Sequence, residues 1–498
     1  MRYRGKDFDM HDAWFLNVDG VLHAFHLRNY HPDAVHTEWP IGHIVSRDLL
    51  HFEALPDILP ALLDPKNPMD FGGKFTGCCY TDPKDGSHLI YYTMRDNQRT
   101  SQRFGACRTY DMEHFDLCPE NPVLEPDCGL LIGYDNIGRI DWNIVDCRDL
   151  VVVKNPKDGL FYGYFAAAAD VGRQSPVGVI AVAVSDDLVH WRDQSIVYVP
   201  RQNGVIEVPD VFFLDGKWIL TALSGSHYAG RSIVSDPYVH KCTIYATADS
   251  PRGPFVEGEH NILIGGIENS GYTCRTFLFE GKRYLMYVDG SYGGNTLSLP
   301  KEIGMRDGKL CALYAPIVSK LHVRQTSWPE RPETPELLPT SFAWRTFGGR
   351  VETVASGYQI ETNPMDYQGM LLPEKVGGLE LNFVQTIDAV AAGCMIGVYD
   401  ANGWLKHPCF FAIEPERQRI LLAKGFGFEY VSAREYPFQQ GQAISVRLIM
   451  TEGVCEVYID DVLLLQCGID TGDSMRYGFF CDRGRAGFKN VEAYELES

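Results

Sequence analysis

Five short stretches of this chain share one design: a two-residue acidic-glycine turn leads into an apolar strand. They are Asp19-Gly20 before VLHAFHL, Asp85-Gly86 before SHLIYYT, Asp158-Gly159 before LFYGYF, Asp215-Gly216 before KWILTAL and Glu280-Gly281 before KRYLMYV. An acidic-glycine pair between two apolar runs is a strong hairpin signal, because both residues tolerate the positive φ that a tight turn needs. The turns recur roughly every 57 to 73 residues, a spacing that fits four-stranded propeller blades with long loops. Seven to nine residues before three of the turns stand Asp12, Asp149 and Glu207. Three carboxylates therefore occupy equivalent places, where the innermost strand of a blade begins beside the central axis.

A second motif alternates with the first: SRDLLHFE at 46–53, TYDMEHFD at 109–116, SDDLVHWRD at 185–193 and, more weakly, SPRGPFVEG at 250–258. Each reads as the hairpin before an outer blade strand. Five inner hairpins and about four outer ones favour five blades. After residue 325 the composition changes. QTSWPERPETPELLPT carries four prolines and reads as an extended connector. Beyond it, ISVRLIM, a Thr-Glu-Gly turn and VCEVYIDDVLLLQC resume short alternating strands, as a β-sandwich would. The expectation is an all-β chain: a five-bladed β-propeller at 1–325, a linker at 326–340 and a C-terminal β-sandwich at 341–498.

Composition narrows the function classes. Of 498 residues 45% are hydrophobic, enough for a large core, and the formal net charge is -20 without a basic run. A nucleic-acid partner, which needs clustered Lys and Arg, is not expected. The start of the chain lacks a signal-type apolar stretch, and no window approaches the ~18 apolar residues of a membrane span. The 14 cysteines contain no Cys-x-x-Cys pair. Free thiols in a reducing cytoplasm are the expectation.

Two carboxylates flanking a bond act as acid and nucleophile or as acid and base, and a third orients hydroxyls. Asp12, Asp149 and Glu207 are the catalytic candidates. Arg148 adjoins Asp149, yet neighbours on a regular strand face opposite sides, so the pair shares a site only if the strand start is irregular. Glu207 lies among Val205, Ile206, Val208 and Pro209, a setting that raises a carboxyl pKa and suits a general acid. The candidate substrate contacts are Arg148, Trp14, His26, Trp39, Phe75 and Tyr272. KFTG (74–77) and SGYTC (270–274) offer walls or hydroxyls in the two blades without a carboxylate. Ser224, Ser226 and His227 lack the Gly-x-Ser-x-Gly context of a nucleophile. His23 and His26 are poorly spaced for a metal, and His43 reads as a packed residue.

At these residues the chain resembles glycoside hydrolase family 32, the invertase, inulinase and levanase group. IGHIVSRDLLHFEALPDIL resembles its Trp-Gly-His-x-x-Ser-x-Asp-Leu-x-x-Trp segment, and DCRDLVVV its Arg-Asp-Pro motif. IEVPDVFFLDGKW resembles its Glu-Cys-Pro-Asp-x-Phe motif, and KFTGCCY its Phe-Ser-Gly segment. LSLPKEIGMRDGKL and the closing YGFFCDRGRAGFKNVEAYEL are similar to the end of the propeller and to the sandwich. The resemblance implies a retaining β-fructofuranosidase that needs no cofactor and acts on an oligosaccharide. It assigns Asp12 as nucleophile, Asp149 as transition-state stabiliser and Glu207 as acid/base. Three departures stand out. His11-Asp12-Ala13-Trp14-Phe15 replaces Asn-Asp-Pro-Asn-Gly, Leu150 replaces the motif proline, and Val208 replaces the motif cysteine. His11-Asp12 also resembles the inverting five-bladed family 43, which leaves two alternatives: an inverting furanosidase or xylosidase on plant oligosaccharides, and an inactive carbohydrate-binding propeller.

Overall fold

The computed structural model describes residues 2–6, 8–29, 40–59, 74–95, 102–131, 147–173, 177–201, 205–225, 239, 241–259, 261–266, 273–291, 294–326, 349–363, 367–371, 376–399, 405–424, 429–439, 441–468 and 475–497. Three of the five acidic-glycine pairs are two-residue turns with both residues at positive φ: Asp19 and Gly20 at 49° and 80°, Asp215 and Gly216 at 48° and 82°, Glu280 and Gly281 at 47° and 78°. The other two are longer than expected. The strands pair Thr81 with His88 and Lys154 with Phe161, so six residues bridge each gap. Pro83 and Pro156 preset a turn one residue in. The Asp82 carboxylate accepts the Lys84 N–H at 2.9 Å, and Asn155 Oδ1 accepts the Lys157 N–H at 3.2 Å. Gly86 and Gly159 then supply the single left-handed residue, at 76° and 77°.

These turns build a β-propeller of four-stranded antiparallel sheets, each running from the axis outward in chain order. The first sheet holds β1 (Asp9–Val18), β2 (Val21–Asn29), β3 (Ile41–Ser46) and β4 (Glu53–Leu59). The second holds β5 (Lys74–Thr81), β6 (His88–Arg95), β7 (Gln102–Thr109) and β8 (Asp116–Leu117). The third holds β9 (Cys147–Lys154), β10 (Phe161–Ala169), β11 (Val177–Ser185) and β12 (Trp191–Tyr198). The fourth holds β13 (Val205–Leu214), β14 (Lys217–Gly225), β15 (Lys241–Ala248) and β16 (Ile262–Gly266). A fifth run follows, with β17 (Arg275–Phe279), β18 (Lys282–Met286), the hairpin β19 (Val288–Ser291) and β20 (Gly294–Leu297), then β21 (Lys301–Arg306) and β22 (Lys309–Tyr314). Here β17, β18, β21 and β22 pair in order, but they do not form a separate sheet. Leu313 of β22 pairs with Val462, which joins this run to the C-terminal strands.

The second motif also forms as expected, between β3 and β4, β7 and β8, and β11 and β12. In each copy a hydroxyl accepts the N–H three residues on: Ser46 from Leu49, Thr109 from Met112 and Ser185 from Leu188, all at 2.9 Å. Leu49, Met112 and Leu188 take the left-handed conformation. An aspartate then binds a histidine ring: Asp48 to His51 at 2.7 Å, Asp111 to His114 and Asp187 to His190 at 2.8 Å.

The strands after the fifth run belong to a second hydrophobic core built around two 22-residue strands, Gly378–Tyr399 and Met475–Leu496. The expected Thr-Glu-Gly turn is there, with Glu452 and Gly453 at 46° and 81°. Ile449, Tyr458 and Leu463 belong instead to a core that also holds Phe15, Phe277 and Leu285 of the propeller. Beside them lies a buried ionic cluster. Glu456 accepts from Arg2, from Lys301 Nζ at 2.7 Å and from the Tyr458 hydroxyl at 2.6 Å, while Asp289 Oδ2 stands 3.9 Å from Arg2 Nη1. Cys78, Cys107, Cys274, Cys394 and Cys455 are buried thiols, as expected. Apart from residue 326 the proline-rich linker lies outside the described residues, and no helix among them is long and apolar enough to cross a membrane.

Candidate functional site

The innermost strands are not regular, and their irregularities coincide. Pairing of β1 with β2 slips between His11 and Ala13, which leaves Asp12 outside the register at φ 28°. Pairing of β5 with β6 slips between Phe75 and Gly77, at Thr76. The β9 slip falls at Asp149, at φ 65°, and the β13 slip between Glu207 and Asp210, with Val208 at φ 47°. A bulge interrupts alternation and re-aims the side chains around it. Asp tolerates the left-handed region, but for a β-branched residue such as Val208 it is a true outlier. Strain of this kind gathers at functional sites. The slip also resolves the strand problem at Arg148 and Asp149: their side chains lie on one side, with Nε 3.7 Å from Oδ2.

Hydrogen bonds then tie four innermost strands, and β6 with them, around one point. The Thr76 hydroxyl donates to Asp12 Oδ2. Thr93 on β6 donates to the Thr76 carbonyl at 2.8 Å and accepts the Asp149 N–H at 3.1 Å. The Val208 N–H donates to Asp149 Oδ2 at 2.9 Å, and Arg148 Nη2 donates to Glu207 Oε1 at 3.2 Å. Asp149 is 3% exposed, whereas the Glu207 side chain keeps 26% of its surface open. Burial pushes the Asp149 carboxyl up to about 7; Arg148 and the Val208 N–H pull it back, while Asp12 and Glu207 add to the rise.

Two neighbours carry no signal in the repeats. Lys241 begins β15; burial pulls its ammonium down to about 8, while Glu207 and Asp12 hold it up, so it lies within electrostatic reach of both carboxylates. Arg275 begins β17 and is 3% exposed. It donates to the carbonyl of Pro209, to that of Gly77 at 3.3 Å and to that of Asp149 at 3.4 Å. Those carbonyls belong to β13, β5 and β9, each at its bulge. Arg275 stands one residue beyond SGYTC, and only packing in three dimensions brings it under the carboxylates.

The other sequence candidates divide. Arg148 stands in the site. Trp14, 1% exposed, packs on Phe25 with ring centroids 6.5 Å apart. Phe75 is partly buried beside the same cluster. His26 is enclosed: Phe8 stacks on its ring at 5.5 Å, and Nδ1 donates to the Leu27 carbonyl at 3.0 Å. Burial pulls it down to about 4, so it is neutral near pH 7. Trp39 and Tyr272 lie outside the described residues. His43 is packed as expected, against Phe25 at 4.6 Å, with Nε2 2.9 Å from His23 Nδ1. Among the described residues no group of three His, Cys, Asp or Glu side chains is placed to hold a metal ion.

The family model for the N-terminal domain of glycosyl hydrolases family 32 matches residues 13–273, more than half of the chain. The chain belongs to glycosyl hydrolase family 32. The match begins immediately after Asp12, where HDAWF departs from the family pattern. Among curated proteins, this family 32 chain is 28% identical over 202 residues to a fructan 6-exohydrolase of Triticum aestivum, covering 39% of this chain and 31% of that protein. It is 25% identical over 199 residues to one of Beta vulgaris, covering 39% and 30%. The matched stretch thus spans less than a third of each relative. Solved structures agree over almost the whole length. A β-fructofuranosidase of Bombyx mori gives a TM-score of 0.65 at 16% identity, covering 99% of this chain and 93% of that one. A fructan 1-exohydrolase IIa of Cichorium intybus in complex with 1-kestose gives 0.70 at 13%, covering 100% and 97%. At such identities the likeness establishes the fold: a propeller followed by further β-strands.

Proposed function

We propose that this protein hydrolyses terminal β-fructofuranosyl residues of sucrose or fructo-oligosaccharides with retention of configuration. One observation carries the reading: in a family 32 chain, three equivalent bulges bring Asp12, Asp149 and Glu207 around one point. Asp12 attacks the anomeric carbon as the bond to the leaving oxygen breaks, and Glu207 gives that oxygen its proton. Arg148 occupies Glu207 Oε1, which leaves the other oxygen to carry the proton. The fructosyl ester on Asp12 is then cleaved by a water whose proton Glu207 takes. Asp149, fixed by the Val208 N–H, accepts from sugar hydroxyls as positive charge grows on the ring. This chemistry runs on carboxylates and calls for no metal or organic cofactor. In the same reading β17, β18, β21 and β22 are the fifth blade, because β17 contacts β1 on one side and bonds β13 on the other. The strands from 349 onward form the bracing sandwich, and buried thiols fit a reducing cytoplasm.

The departure at HDAWF favours a second reading, an inverting family-43-like hydrolase of arabino- or xylo-oligosaccharides. Hydrolysis of sucrose, inulin, levan and arabino-oligosaccharides, followed by NMR of the first-formed anomer, separates the two. Retained fructose supports the first reading; inverted pentose supports the second. If nothing is cleaved but one sugar binds, the chain is a binding module. With an activated aryl fructoside, Glu207→Ala should keep much of its first-step rate and recover turnover with azide, with configuration retained. Asp12→Ala should be inactive, or give inverted product with azide. Near-normal activity in Asp12→Ala sinks the assignment.

A further inference from the structure

Trp14, Asp210 and Arg275 on innermost strands join Trp218 on β14 and Arg283 on β18 to line a cavity of about 290 Å³ that none of the three site carboxylates lines. Its charge is unbalanced. Among the described residues the Arg275 guanidinium is held by neutral backbone carbonyls alone, and its buried Nε has no partner. Arg283 Nη1 donates to the Thr276 hydroxyl at 3.0 Å, and the guanidinium stacks over Phe212 at 4.8 Å. The lining has one carboxylate, Asp210, whose Oδ2 already accepts the Thr276 N–H at 2.7 Å and attracts Arg283 only at longer range. Lys154 adds a third cation at the rim. In a chain of net charge -20, this is a local positive excess behind aromatic walls. A desolvated guanidinium without an anion is costly, and its fork of donors matches an oxyanion.

We infer that this cavity is an anion site for a small oxyanion, phosphate or carboxylate, bound by Arg283 beside the buried charge of Arg275. Trp14 and Trp218 stand in its wall and report on it. The test titrates the full-length protein with inorganic phosphate and, separately, with succinate. It follows tryptophan fluorescence and melting temperature, with sodium chloride holding ionic strength constant. A saturable change with either anion is expected, weakened at least tenfold in Arg283→Gln and retained in Arg283→Lys and in Asp12→Asn. Response to phosphate alone marks a phosphate-type ligand, and response to succinate alone or to both extends the site to carboxylates. No saturation with either anion, or equal saturation in Arg283→Gln, overturns the inference. Because the readout is binding in a cavity that none of the site carboxylates lines, it does not depend on the proposed hydrolysis.

Discussion

Asp149 keeps its proton at a pH where an ordinary carboxyl has lost it, and this has a measurable consequence. Its folded value is about 7, against about 4 in an unfolded chain. Between those values the native state holds a proton that the unfolded state has released, so stability falls as pH rises from about 4 to about 7 and is level above. Asp149→Asn keeps an oxygen for the Val208 N–H and removes the titration. The variant should therefore gain on the wild type across that window, by on the order of a few kcal/mol at its upper end. Urea unfolding at pH 4.5, 6 and 7.5 measures it, and parallel profiles would show that Asp149 ionises freely. Arg275 gives a second test. Arg275→Met removes the donor shared by the Pro209, Gly77 and Asp149 carbonyls. Turnover should drop by about tenfold or more with KM little changed, as expected for misplaced catalytic groups, and Arg275→Lys should recover part of it. At this scale the sequence shows what is periodic. Asp12, Asp149 and Glu207 share a phase with the turns, so they were legible. Arg275, Lys241 and Thr93 were not, because a lone residue in an apolar strand carries no mark of what the fold sets beside it.

The hairpins show where local chemistry decides structure. Gly216 sits at φ 82°, and a Cβ there would meet nothing within 4 Å. Gly216→Ala should therefore cost only the backbone term, about 1 kcal/mol, read as a shifted urea midpoint at constant slope. Gly42 is the contrast: a Cβ there would strike the His26 ring, so Gly42→Ala should cost clearly more. A Gly42 variant as mild as the Gly216 one would mean that β2 and β3 separate more easily than their packing indicates. Inner and outer hairpins were readable because each turn's residues form its own hydrogen bonds. The length of the Asp82 and Asn155 turns was missed, since the prolines after them, not the Asp-Gly pairs, set where the chain reverses. The bulges were legible only as a condition attached to Arg148 and Asp149, because register slips depend on partner strands far along the chain.

At the scale of the whole molecule, the propeller and the strands after it share one buried ionic cluster. Burial alone would raise the Glu456 carboxyl, but Lys301 and Arg2 outweigh it and hold it down to about 2. Among the described residues, Glu456→Ala leaves the buried Lys301 without its carboxylate and Arg2 with only its longer ionic contact to Asp289, and should destabilise by about 3–5 kcal/mol, seen as an early, cooperative melt of the full-length protein. A change below about 1 kcal/mol would mean that water reaches the cluster. Deletion of 340–498 removes Ile449, Tyr458 and Leu463 from the core they share with Phe15, Phe277 and Leu285, so an insoluble product is expected. A soluble, fully active product would refute the bracing role.

Arg2 also sets a clock. Its bonding partners, Thr451 and Glu456, lie 449 and 454 residues further along the chain. During synthesis the first sheet emerges early but meets these partners only after most of the polypeptide has been made. Nascent chains stalled before Val454 should show protease-sensitive N-terminal segments, and chains released after Ile459 should lose that sensitivity together with the late strands. Until then Arg2 lacks both partners, so its burial waits on strands made long after it.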